Sequence, residues 1–124
     1  MQNFNSKFKT DLKERCFQLS LKTIALLDSL PPKTSSKVIS NQLLRSVTSI
    51  GANLIEAKAS SSRAEFKKFY EIALKSANES KYWLRLLVEC KLIPLDAFKP
   101  LDTELDEITK MIAAGVLKLK QVRF

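Results

Sequence analysis

Residues 62–90 read SRAEFKKFYEIALKSANESKYWLRLLVEC, and their spacing predicts the fold. Phe66, Phe69, Ala73, Ser76, Ser80, Trp83 and Leu87 recur at alternating steps of three and four, an average of 3.5 residues. An α-helix turns every ~3.6 residues, so this stripe stays on one face and meets a near-parallel partner at the shallow crossing of helix bundles. Ser62 followed by Glu65 reads as a capping box: the serine oxygen accepts an N–H that the first turn leaves unpaired, and the glutamate reaches back. A helix is expected over 63–90. The stretch 91–96, which contains Pro94, breaks it.

The same period extends in both directions. Upstream, Ile39, Leu43, Val47, Ile50 and Leu54 mark a helix over about 35–59, closed by the turn Ser60-Ser61-Ser62. Downstream, Phe98, Leu101, Leu105, Ile108, Ile112, Gly115 and Leu119 mark one over about 97–120, with Pro100 near its start. Its acids, Asp102, Glu104, Asp106 and Glu107, lie early and Lys118 and Lys120 lie late, the order that suits a helix dipole. The first helix is expected over about 11–29, ended by Pro31-Pro32. Phe17, Ile24 and Leu27 share a face with Cys16 and Ser20, and Leu12, Leu19 and Leu26 repeat on a neighbouring face. Together they make an apolar arc wider than one bundle seam requires, and the Leu12, Leu19 and Leu26 stripe is the expected excess, an interface with further copies.

With 124 residues and only two glycines and four prolines, the chain is one domain built of few, long elements. Short connections force neighbouring helices antiparallel, so the expected fold is all-α, an antiparallel up-down-up-down four-helix bundle. Gly51, in mid-helix beside Ala52, implies a close helix approach. Cys16 and Cys90 match no zinc or redox spacing and read as buried, reduced thiols. No signal core and no run of membrane-spanning length is visible, so the expectation is a cytoplasmic protein without a membrane partner.

The absence of histidine removes the commonest general base and metal ligand, and no glycine-rich phosphate loop exists. No catalytic residue, metal site or cofactor is expected. One polar constellation stands out: Gln42, Ser46, Ser49, Asn53 and Glu56 form a second seam with Arg45 at its margin, and Ser76 and Glu79 face it from the next helix. Buried groups of this kind must hydrogen-bond one another. The seam reads as a structural polar network that sets register. A catalytic groove built on Arg45, Asn53 and Glu56 is the weaker alternative.

There are 21 Lys+Arg against 13 Asp+Glu, a formal charge of +8, which attracts polyanions. The cations fall into three groups: Lys7, Lys9, Lys13 and Arg15; Lys58, Arg63, Lys67 and Lys68; and Lys110, Lys118, Lys120 and Arg123. Lys58, Arg63, Lys67, Lys68, Lys118, Lys120 and Arg123 are the candidate nucleic-acid contacts, reading backbone and shape, with Tyr82 as a candidate stacking ring. The alternative is a structural or protein-partner scaffold with no nucleic-acid role.

The run Gln42-Leu43-Leu44-Arg45-Ser46 with Ser49-Ile50, Asn53 and Glu56, followed by Glu65-Phe66, Ala73, Ser76, Glu79 and Trp83-Leu84, resembles the bacterial four-helix-bundle proteins encoded within intervening sequences of 23S ribosomal RNA genes. Where that family commonly has glycine after the glutamate, this chain has Ala57. The resemblance implies a four-helix bundle assembled as a ring-like homopentamer, with no catalytic residues. More distantly, the chain is similar to the accessory bundle proteins of diversity-generating retroelements, which implies RNA or DNA binding through a basic pentamer.

Overall fold

The computed structural model describes the backbone of residues 4–121 and the side chains of residues 12–120. It contains α1 (Phe4–Asp28), α2 (Thr34–Lys58), α3 (Arg63–Glu89) and α4 (Leu95–Gln121). Helices α2 and α3 start and stop within one residue of the expected positions. Helix α1 starts earlier than the expected 11–29, and α4 starts at Leu95, ahead of Pro100. The Pro94 carbonyl accepts from the N–H groups of Ala97 and Phe98, so Pro94 caps α4. Pro100 then falls in the second turn with its ring towards solvent, where it removes a single N–H from the ladder.

The helix ends are set by local chemistry. Ser62 Oγ accepts from the Glu65 N–H at 3.1 Å, the serine half of the expected capping box. Ser36, buried in the first turn of α2, accepts from the Lys33 N–H at 3.1 Å. Helix α3 ends in a Schellman turn: the Leu92 N–H donates to the Leu87 carbonyl and the Lys91 N–H to the Val88 carbonyl. Lys91 is held at φ 59°, a left-handed conformation that normally selects glycine.

Helix α2 packs between α1 and α3, α4 packs on α3 and returns to α1, and the diagonal pairs stay apart. Ser80 meets Ser46 while Ser76 meets Ser49, so α2 and α3 run in opposite directions. Lys81 opposite Asp106 and Tyr70 against Gly115 give the same sense for α3 and α4. The core runs the length of the bundle. Its largest members are Leu43, Val47 and Ile50 of α2, Leu87 of α3, and Leu105, Ile108 and Ile112 of α4.

Helix α1 is rotated differently from the expectation. Cys16, Leu19 and Thr23 are its buried positions, and Leu12, Leu26 and Leu27 pack against the core. The leucine stripe is therefore not the excess; Phe17 (58% exposed), Leu21 and Ile24 are left facing outward. The cause is Gly51: a Cβ there would sit 3.2 Å from the Cys16 Cβ, so α1 touches α2 through Cys16. With Cys16 turned inward, Phe17, about 100° further round, must turn outward. Burial pushes the Cys16 thiol up to about 12. Cys90, by contrast, is exposed at the end of α3, because the Schellman turn lifts it off the core.

Candidate nucleic-acid interface

The polar seam lies between α2 and α3 and consists of direct contacts. Ser80 Oγ donates to Ser46 Oγ at 2.8 Å, with both residues fully buried. Ser76 Oγ donates to Ser49 Oγ at 2.9 Å, and Asn53 Nδ2 donates to the same oxygen at 2.9 Å. Towards solvent, Arg45 donates to Gln42 Oε1 and pairs with Glu79, whose carboxylate also accepts from Trp83 Nε1 at 2.8 Å. Glu56 is not part of this chain: it lies one turn past Asn53, where α2 has turned its side chain to solvent. Every buried side-chain N or O atom among the described residues has a partner, so the seam presents no orphaned group to a ligand. Among the described residues, no cluster of His, Cys, Asp or Glu is placed to hold a metal ion.

The cations are sorted by the fold. Arg15 leaves the basic set: its guanidinium bonds Glu104 at 2.6 Å and Glu107 at 2.8 Å, tying α1 to α4. That bond holds the Glu104 carboxyl below its usual range, and both acids hold the guanidinium protonated. Lys110 pairs with Asp106 at 3.2 Å, within α4. Arg123 and the side chains of Lys7 and Lys9 lie outside the described residues.

The remaining candidates converge. Lys58 ends α2, Arg63 begins α3 with Lys67 and Lys68 one turn on, and Lys118 and Lys120 lie in the last turn of α4. Antiparallel packing brings all three stretches to one end of the bundle. There a cleft of about 610 Å³ is lined by Leu12, Lys13, Leu54, Lys58, Phe66, Tyr70, Met111 and Lys118. A hollow beside it is lined by Ser60 to Arg63, Phe66 and Leu119. Among the described residues, neither has a carboxylate in its wall. The Lys13 ammonium is held below the ordinary lysine range by lost hydration and then by Lys58 beside it. At the opposite end, a hollow of about 690 Å³ also carries Lys81, Arg85 and Lys91, but Glu89 and Asp102 share its wall.

Tyr82 is exposed, as expected for a candidate stacking ring, at 59%; it packs edge-on against Trp83 beside the hollow of mixed charge at the opposite end, away from the basic clefts. At the basic end, Phe66 and Tyr70 stack with centroids 5.2 Å apart. Sequence reading assigned Phe66 to the core stripe. Its signal was the i, i+4 spacing from Tyr70 at the very start of a helix, where a seam runs out of partners.

Residues 9–114 match the family model described as 23S rRNA-intervening sequence protein. The chain is similar to a crystal structure of a protein of unknown function from the S23 ribosomal protein family of Bacteroides thetaiotaomicron. The two are 35% identical with a TM-score of 0.79, covering 85% of this chain and 97% of that one. No curated protein matches. The family model covers most of the chain, and the similar structure shares its fold at 35% identity: the chain belongs to the 23S rRNA-intervening sequence protein family.

Proposed function

We propose that the protein is a non-catalytic homo-oligomer that binds structured RNA or DNA by its sugar-phosphate backbone. The observation that carries this reading is the convergence of Lys58, Arg63, Lys67, Lys68, Lys118 and Lys120 on one end of the bundle, around clefts whose described lining holds no carboxylate. Phosphate contacts need positive charge and reach, which these side chains supply; they carry no base-specific pattern. Self-association is supported by the outward face of Phe17, Leu21 and Ile24, three apolar side chains exposed on one side of α1. The family resemblance suggests five copies in a ring. A ring repeats the basic end, and repeated weak contacts then add through effective concentration.

The test is gel-shift titration of a structured RNA, a duplex DNA and heparin. With about six phosphates neutralised, affinity falls roughly a thousandfold between about 50 and 200 mM salt. Replacing Lys58, Lys67, Lys68 and Lys118 together by Ala weakens all nucleic-acid ligands alike and flattens the salt slope by roughly one unit per lost contact. Absence of binding to all three ligands at about 50 mM salt, from an assembled oligomer, replaces this reading with the protein-partner scaffold.

A further inference from the structure

We infer that the cleft at the basic end takes one unpaired nucleotide of a bound strand, its base entering against Phe66 and Tyr70 and its phosphate resting on Lys13, Lys58 and Lys118. The inference builds on backbone binding at that end and adds a specific site to it.

The cleft has two chemistries in one wall. Its volume of about 610 Å³ lies within the ~300–1,000 Å³ of small-ligand sites. Leu54, Phe66, Tyr70 and Met111 give it an apolar and partly aromatic interior, and three ammonium groups from three helices stand in the same wall. Lost hydration and then the neighbouring Lys58 disfavour the Lys13 charge, and an anion beside the two ammonium groups offsets that. An aliphatic ligand would use the apolar wall and leave the lysines unanswered; a bare phosphate would do the reverse. An aromatic ring carrying a phosphate satisfies both.

The ring pair is held in place by the fold. A Cβ on residue 115 would lie 2.7 Å from Tyr70 Cε2, so Gly115 leaves room for the Tyr70 ring to lie over α4. Phe66 stacks on that ring at an interplanar angle of 19° and faces both the cleft and the adjoining hollow. The somewhat larger hollow at the other end does not compete for the same ligand, because Glu89 and Asp102 in its wall repel a phosphate. A base within a duplex reaches such a site only by leaving its stack, whereas an unpaired base is already free. The favoured strand is therefore a hairpin with a bulge or a single-stranded end.

The experiment compares two RNA hairpins of equal phosphate number, one fully paired and one with a single bulged 2-aminopurine, titrated against the full-length oligomer. The bulged hairpin is expected to bind roughly tenfold more tightly, the effect of stacking one base on an aromatic ring, with quenching of the 2-aminopurine fluorescence. Phe66→Leu keeps apolar bulk but removes the ring face; it should bring the affinity ratio close to one and abolish the quench, and Phe66→Trp should restore both. Met111→Trp fills the cleft from α4 and gives the same loss, which serves if Phe66→Leu lowers the melting temperature. Equal affinity for the two hairpins, or quenching that survives both substitutions, overturns the site while salt-sensitive binding of both hairpins keeps the backbone reading. Binding of neither hairpin removes both readings.

Discussion

The bond between Ser46 and Ser80 offers a direct measure of what the polar seam does. Both residues are 0% exposed, and their hydroxyls meet at 2.8 Å across the α2–α3 interface. Each also has a carbonyl in its own helix, Leu43 at 3.1 Å for Ser46 and Ser76 at 2.8 Å for Ser80. Truncating either serine to alanine removes the shared cross-helix hydrogen bond, worth about 0.5–1.5 kcal/mol, and strands no donor, because the remaining hydroxyl keeps its own helix carbonyl; the bond of the truncated serine to its own helix is already contained in its helix propensity. Alanine returns about 0.5 kcal/mol through helix propensity. The expected single-mutant loss is about 0.5 kcal/mol each. The double variant Ser46→Ala with Ser80→Ala loses the same bond only once and gains both propensities, so it should lie near wild type. The resulting coupling is about 1 kcal/mol. Urea unfolding at fixed protein concentration measures all four corners of the cycle. Additive singles, with the double variant at their sum, would show that the two hydroxyls are energetically independent and refute the seam as a cross-helix device. Truncating a core residue such as Ile112 to alanine should cost about 2–5 kcal/mol, so the seam sets register while the apolar core supplies most of the stability.

The Arg15–Glu104 bridge makes stability depend on pH. Because the Glu104 carboxyl is depressed below its ordinary value of 4.5, its contribution is fully present above that value and is lost as pH falls through the lower, folded one. Glu104→Gln should cost about 1 kcal/mol at pH 7 and nearly nothing near pH 2, read from melting curves at both pH values. Lys91→Gly should raise stability by about 1 kcal/mol, since it relieves a left-handed side chain in the Schellman turn; a lower urea midpoint would contradict this. Phe17→Glu combined with Ile24→Glu should lower the mass measured by light scattering and leave the helical spectrum intact. An unchanged mass would move the subunit contact away from α1.

The residues of α2, α3 and α4 already specified their helices and inward faces, because a 3.5–3.6 period, a Ser62 cap and proline breaks are properties of a few neighbouring residues. Ser49, Asn53 and Ser76 were legible as polar groups beside a core stripe for the same reason. What depended on distant pairs was not legible. The rotation of α1 had two apolar faces to choose from, and the contact between Cys16 and Gly51 chose between them. Arg15 read as a free cation until the fold placed it against Glu104, 89 positions away in the chain. Lys13, the neighbouring Lys58 and Arg63, and Lys118 fell in three separate basic groups, and Phe66 looked like core. Only antiparallel packing carries these four cations to one end of the bundle and leaves Phe66 and Tyr70 between them, since periodicity records which way a side chain faces along its own helix and nothing about what stands opposite it.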